Sequence, residues 1–148
     1  MIKIVAVVLL ILLATIGFLH LQTQRPCQVC QSEIWDETLS EAAQRGFDYC
    51  GTFHSAMSGD DDAIARLLEF SNCTDAASAL GHGCAIVGVL QTLGDDRLAA
   101  CIRRQSAKLR ERLGRIIECG IDYGMGEKPV DMAKLFPSSY NAVMQGSP

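Results

Sequence analysis

Catalytic sequence motifs are absent from this chain of 148 residues. It contains no G-x-S-x-G nucleophile elbow, no Walker phosphate loop and no dinucleotide-binding fingerprint. Aromatic residues make up only 6% of the chain, with a single tryptophan. No segment alternates apolar and polar residues with the period of two that a half-buried strand requires. The sequence therefore predicts an all-α fold, and we expect a protein that is not an enzyme and needs no cofactor.

The longest apolar run lies near the amino terminus, from Ile4 to Leu21, and only His20 interrupts it. These 18 residues span roughly 27 Å as a helix, close to the ~30 Å hydrocarbon core of a bilayer. No good small-x-small cleavage site follows, so we expect residues 1–21 to form a retained signal anchor; a cleaved signal peptide stays open as the alternative. Lys3 before the run favours a domain on the far side of the membrane.

The remainder of the chain divides into a polar tether, residues 22–31, and one α-helical domain, residues 32–148. Residues 76–94 are almost uncharged and predict a buried central helix, in which Gly83 and Gly88 allow neighbouring helices to approach closely. One apolar stripe predicts a continuous helix over residues 97–120. Pro137 predicts a break before a last short helix.

Seven cysteines are a high count for a domain of this size. Cys27 and Cys30 form a C-x-x-C motif just after the anchor, and in an oxidising compartment we expect a disulfide within the motif or to Cys50. The alternative is a redox use of the motif. Four cysteines in apolar helical patterns fit either disulfides or small buried hydrophobes: Cys73, Cys84, Cys101 and Cys119. No metal site is predicted, because no second C-x-x-C or spaced histidine pair completes four ligands.

Charge is unevenly distributed around the net value of −4. Residues 26–96 hold twelve acids and two arginines, whereas residues 97–115 hold seven basic residues and one glutamate. Acidic side chains at helix starts are the predicted partner-binding residues: Asp60, Asp61, Asp62, Asp75, Asp95 and Asp96. The opposite charge forms a basic stripe: Arg103, Arg104, Lys108, Arg110, Arg112 and Arg115. This stripe fits a solvated face, an internal partner for the acids, or a contact with acidic protein or anionic lipid; nucleic acid and small-molecule substrates are not expected.

Two segments of the domain repeat at a spacing of 35 residues. Each has a Gly-Asp-Asp sequence, at Gly59 and at Gly94, between two apolar helical patterns. Asp60 to Asp62 are expected to cap the helix that follows. Helix pairs at such a period bury their apolar faces by stacking on one another. The fold expected is therefore a set of stacked helix pairs behind one transmembrane helix.

Residues 47–133 resemble degenerate ankyrin repeats. Thr52 to Ala56 is similar to the motif that opens an ankyrin repeat, and Lys128 to Ala133 matches the next opening best. The resemblance implies a protein-binding surface without chemistry of its own. Residues 103–113 are too long for the repeat, and the middle unit lacks its threonine-proline and histidine. Another αα-repeat or a small bundle therefore stays open.

A small acidic domain behind a lone anchor resembles, by architecture alone, the immunity proteins that bacteria pair with secreted antagonistic toxins. That resemblance implies one protein partner, bound at the periplasmic face of the bacterial inner membrane. Two other functions stay open. One is an extracytoplasmic thiol-redox or assembly factor that uses Cys27 and Cys30, and the other is a structural membrane subunit with the helix of residues 76–94 in the bilayer.

Overall fold

The computed structural model of the chain describes residues 34–124 and 131–145. Within these ranges the chain forms eight helices and no strand, which confirms the all-α prediction. The predicted anchor, the tether, Cys27 and Cys30 lie outside the described residues. The helices are α1 (Asp36–Gln44), α2 (Tyr49–Met57), α3 (Asp61–Phe70), α4 (Ala76–Leu93), α5 (Asp95–Arg103), α6 (Ala107–Gly124), α7 (Met132–Leu135) and α8 (Pro137–Met144).

Helices α2 and α3 flank the first of the two Gly-Asp-Asp sequences. Their junction is Gly59, whose φ of 88° is readily adopted only by glycine. The Asp60 carboxylate then accepts hydrogen bonds from the backbone N–H groups of Asp62 and Ala63, so it caps α3 as predicted. The apolar face of α3 is buried, including Ile64.

The long helix α4 lies at the centre of the domain and packs against α1, α2, α5 and α6. A reciprocal capping box between Asp75 and Ser78 starts it. It ends at Gly94, whose φ of 89° repeats the turn at Gly59. By length and composition α4 is also the one helix in the described ranges that could cross a membrane, with a mean hydropathy of 1.4, but half of it is buried inside the domain.

Gly83 of α4 lies directly against Gly120 of α6 where these two helices cross. A Cβ atom built on Gly83 would lie 2.4 Å from the carbonyl oxygen of Ile116, so only glycine permits this crossing. The prediction is right for Gly83 and wrong for Gly88, where nothing lies within 4 Å of the corresponding Cβ position. Gly88 faces away from the crossing because it lies five residues, not three or four, beyond Gly83.

The predicted continuous helix over residues 97–120 is wrong, because α5 ends at Arg103 and α6 begins at Ala107. Side chains satisfy the backbone groups that the break exposes. Ser106 Oγ accepts from the Leu109 N–H at 3.3 Å. Arg110 donates to the Gln105 carbonyl at 2.6 Å. The break turns the chain so that α6 packs along α4 while α5 packs against α3.

The carboxyl-terminal helix α8 returns to pack against α5 and α6. Pro137 is its first residue rather than a break in the chain, since a proline at this position needs no N–H partner. The Asp95 carboxylate accepts the backbone N–H groups of Ser138 and Ser139 at 2.7 and 2.8 Å. These two hydrogen bonds cap the amino-terminal end of α8 and hold it against the start of α5.

Candidate functional site

A buried polar cluster joins α2, the end of α3 and α4. His82 Nδ1 lies 2.6 Å from the Tyr49 hydroxyl and His82 Nε2 lies 2.9 Å from the Ser71 hydroxyl. Both ring nitrogens are therefore satisfied when the imidazole is neutral, with one nitrogen donating and the other accepting. The exposed fraction is 0% for His82 and Ser71 and 2% for Tyr49. No substrate can reach this cluster without unfolding, so its geometry supports a structural role.

Burial sets the protonation state of this cluster. Desolvation, with a smaller contribution from the nearby Arg112 charge, lowers the pKa of His82 from 6.5 to about 3. Burial, followed by the neighbouring Cys84, raises the pKa of Tyr49 well above its ordinary value. The unfolded chain binds a proton at His82 below about pH 6.5 while the folded domain does not, so the stability from this residue is present at neutral pH and is lost as pH falls.

Most of the six aspartates predicted to bind a partner serve the fold. Asp60 and Asp75 cap α3 and α4, and the hydrogen bonds from Ser78 lower the pKa of Asp75. Asp61 forms ion pairs with Arg104 at 3.1 Å and with Arg97 at 3.2 Å. The hydrogen bonds from Arg104 and then Arg97 lower the pKa of Asp61.

The two aspartates at the start of α5 are also occupied. Asp95 caps α8, and Asp96 accepts a hydrogen bond from the Ser138 hydroxyl at 2.6 Å. Asp62 differs from the other five, because its side chain is exposed and forms no ion pair or hydrogen bond in the part of the chain that the structure describes. Partner binding by the six aspartates stays a prediction, and Asp62 is the member whose side chain the described fold leaves without a bond to another residue.

The basic stripe separates into three roles. Arg104 meets Asp61, so the predicted internal pairing of the stripe with the acids occurs at this point. Arg110 and Arg112 bind backbone carbonyls, and Arg112 donates to those of Ser71 and Thr74, which holds the α3–α4 turn against α6. The other three members lie at the surface, as Arg104 does: Arg103, Lys108 and Arg115, the last paired with Glu111 on its own helix.

The cysteines of the described ranges fall into two groups, one disulfide-bonded and the others free. Cys50 is disulfide-bonded, as the sequence allowed. Free thiols occur at Cys73, Cys84, Cys101 and Cys119. No group of three metal-binding side chains comes together among residues 34–124 and 131–145. The redox alternative depends on Cys27 and Cys30, outside these ranges, and stays a prediction.

An apolar groove lies between α4 and α6, which we name the aromatic groove. It has a volume of about 660 Å³. Tyr123, 66% exposed, is part of its lining, and Trp35 packs edge-on against Tyr123 with ring centroids 5.5 Å apart. Its lining consists of Thr74, Asp75, Ala76, Ala79, Leu80, Arg112, Arg115, Ile116, Cys119, Asp122 and Tyr123.

A second groove of about 710 Å³, which we name the arginine groove, lies on the other side of the α3–α4 turn. Asn72 and Cys73 of that turn face the arginine groove, while Thr74 and Asp75 face the aromatic groove. Helix α6 continues past both. The remaining lining of the arginine groove consists of Arg45, Phe47, Arg66, Glu69, Phe70, Arg104, Gln105, Ser106 and Leu109.

Known proteins provide no parallel for the two grooves. No protein-family model, no curated protein and no solved structure matches the chain. The fold and the two grooves define an all-α domain with a concave, partly aromatic surface along one long helix.

Sequence reasoning missed both grooves and the buried cluster. Tyr123 lies beyond the end of the predicted helix over residues 97–120, and its partner Trp35 is 88 positions away along the chain. The available signal for the cluster was the placement of His82 in an otherwise uncharged apolar helix, since a buried imidazole requires hydrogen-bond partners. That signal does not identify Tyr49 and Ser71 as the partners.

Proposed function

We propose that this chain is a protein-binding module that holds one partner along α6, and that it is an immunity protein which neutralises a secreted antibacterial toxin. The observation that carries the proposal is the aromatic groove. Exposed Tyr123 lines an apolar concavity together with Arg112 and Arg115, and Trp35 packs against the Tyr123 ring. Tryptophan, tyrosine and arginine are the residues that dominate binding energy in protein interfaces.

The groove has the distribution of polarity that an interface requires. Ala79, Leu80 and Ile116 supply an apolar floor, and Asp122 adds a carboxylate to its lining alongside the arginines. A partner side chain placed there would lose water on its apolar part and keep charged partners around it. Two exposed large aromatics that pack on each other also bury their edges at little entropic cost, because each has only two side-chain torsions.

The proposed location is the bacterial inner membrane, with a single span at residues 1–21 and the domain in the periplasm. The apolar run Ile4 to Leu21 supports the span by its length. The disulfide at Cys50 supports an oxidising compartment, since such bonds persist outside the cytoplasm and rarely within it. The packing of α4 against four other helices favours a core helix over a second span.

We further propose that the domain is a degenerate αα-repeat of the ankyrin-like kind. The pairs α2–α3 and α4–α5 support this, because their connecting glycines stand 35 positions apart with nearly equal φ angles of 88° and 89°. The pairs differ in one respect: α4 has 18 residues and α2 has 9. The additional turns of α4 provide the face on which α6 packs.

The test compares full-length protein carrying an affinity tag with its Tyr123→Ala variant, each purified from membranes in a neutral detergent. Proteins that co-purify with the unmodified chain and are lost with the variant are identified by mass spectrometry. Tyr123 is mostly exposed, so its replacement should leave folding intact while weakening the complex about 30-fold, the effect of losing a hot-spot side chain worth about 2 kcal/mol. Leu135→Ala is the control, since Leu135 is an exposed apolar residue on α7.

A captured protein must then be shown to be a toxin. It is exported to the periplasm of a sensitive bacterium with and without this chain, and growth is recorded. The proposal requires that the captured protein stops growth, that the unmodified chain and Leu135→Ala restore it, and that Tyr123→Ala does so poorly. A partner that is harmless, or one retained equally by Tyr123→Ala, contradicts the immunity function.

A further inference from the structure

We infer that the arginine groove receives an acidic segment of the protein partner, in which carboxylates flank an apolar side chain. The inference rests on the proposed protein-binding function and names the chemistry of the second contact. Three guanidinium groups line this groove, from Arg45, Arg66 and Arg104, against the single carboxylate of Glu69. A planar guanidinium binds a carboxylate through two parallel hydrogen bonds, which favours this anion over a neutral ligand.

Arg66 is the arginine most available to a partner. It is exposed, and no ion pair or hydrogen bond joins it to another residue in the part of the chain that the structure describes. Arg45 and Arg104 are oriented by Glu41 at 2.6 Å and Asp61 at 3.1 Å. Arg104 and Asp61 are each at least half exposed, so their pair contributes little to stability and an incoming carboxylate can share the Arg104 guanidinium. Glu41 is mostly buried, but Arg45 itself is about half exposed and keeps N–H groups open to a partner.

The apolar part of the groove explains why the segment needs more than charge. Phe47 is partly buried and stacks on Phe70 with ring centroids 4.8 Å apart and an interplanar angle of 19°. Leu109 adds an aliphatic wall. Such a floor accommodates an aromatic or aliphatic side chain between the arginines, and the combination matches a short peptide segment rather than a free anion.

The shape of the groove favours protein over lipid. Tyr123, on which Trp35 packs, lines the aromatic groove near the far end of α6. Leu109 lies 14 positions before Tyr123 on α6, which places the arginine groove about 21 Å away along that helix. Lipid-binding helices present basic residues on a protruding amphipathic face, whereas these arginines surround a concavity lined by α3, α6 and the carboxyl ends of α1 and α5.

The two grooves lie close enough for one partner to occupy both. They are separated only by the α3–α4 turn, which Arg112 holds against α6. A typical interface buries roughly 800 Å² on each partner, and its diameter exceeds the length of α6 between the grooves. The aromatic groove would then supply an apolar anchor, and the arginine groove would supply charge recognition for the same partner.

The free thiol of Cys73 in the arginine groove provides a direct readout of occupancy, and the exposed free thiol of Cys119 in the aromatic groove is an internal reference. The full chain is placed in nanodiscs of phosphatidylcholine and treated with iodoacetamide, a neutral reagent. The rate of alkylation is measured at each cysteine by mass spectrometry. The probe is the peptide Glu-Glu-Phe-Glu-Glu with blocked termini, compared with Gln-Gln-Phe-Gln-Gln.

The glutamate peptide, at about ten times its Kd, should slow alkylation of Cys73 about tenfold while leaving the rate at Cys119 unchanged. Protection should weaken as salt is raised, because exposed charges are screened. Arg66→Glu should weaken peptide binding about tenfold or more, since it removes one attraction and adds a repulsion. Lys134→Glu makes the same charge change at the exposed Lys134 of α7 and should leave protection unchanged.

Three results would overturn the inference. They are equal protection by the glutamine peptide, equal loss of protection in Arg66→Glu and Lys134→Glu, and protection of Cys73 by phosphatidylglycerol nanodiscs without any peptide. The last result would assign the groove to anionic lipid. This assay needs no toxin, so the inference can fail while Tyr123→Ala still abolishes partner capture, and the two failures are distinguishable.

Discussion

The contact between Gly83 and Gly120 predicts opposite effects for the same substitution at two positions of one helix. A Cβ atom on Gly83 would lie 2.4 Å from the Ile116 carbonyl oxygen and 3.1 Å from the Gly120 nitrogen. Carbon and oxygen normally approach no closer than about 3.3 Å, so α4 and α6 would have to separate by roughly 1 Å. Both atoms belong to backbone, and neither can move aside as a flexible side chain would.

The expected cost follows from two opposing terms. Overpacking a helix contact costs about 1–3 kcal/mol and falls near the upper end here, since separation also loosens the buried contacts around it. Replacing glycine by alanine within a helix returns up to about 1 kcal/mol. Gly83→Ala should therefore lower the free energy of unfolding by about 2 kcal/mol. Gly88→Ala meets no atom within 4 Å and should raise the free energy of unfolding by about 0.5–1 kcal/mol.

The assay is thermal and urea unfolding of the full chain in neutral detergent, followed by far-ultraviolet circular dichroism. A change of 1 kcal/mol should move Tm by about 3–6 °C in a domain of this size, so Gly83→Ala should melt roughly 6–12 °C below the unmodified chain. Gly88→Ala should melt a few degrees above it. Shifts of the same sign for both variants would refute the close helix crossing.

Three further predictions concern buried and capping groups. Because the pKa of His82 is about 3 when folded, the free energy of unfolding should fall by about 2 kcal/mol between pH 8 and pH 5. Urea titrations should show that His82→Asn loses this dependence on pH. An unchanged pH dependence in the variant would contradict a buried, neutral His82. Asp95→Ala should cost about 1–2 kcal/mol and speed amide exchange in α8, whereas Asp62→Ala should change stability by less than about 0.5 kcal/mol. Reducing agent should lower the free energy of unfolding of the unmodified chain by about 2–4 kcal/mol and leave that of Cys50→Ser unchanged. The same decrease in both proteins would exclude a stabilising disulfide at Cys50.

Sequence reasoning succeeded for interactions between residues that are close together in the chain. The Asp60 cap was predictable because an N-cap bonds to backbone groups two or three positions ahead. The buried central helix was predictable because residues 76–94 are almost uncharged. The break at Ser106 was missed, although serine is itself a capping residue, because the apolar stripe continues across it.

Sequence alone determined that the domain is helical, where several helices begin, and which of their faces are apolar, since those properties depend on neighbours within about one helical turn. Tertiary structure decided what the charged and aromatic residues do. Asp95 caps a helix more than 40 positions away, Tyr49 meets His82 across 33 positions, and Arg112 restrains a turn 38 to 41 positions earlier. Such partners become neighbours only after α4, α6 and α8 pack, because burial of their apolar faces, not the polar bonds themselves, brings distant segments together.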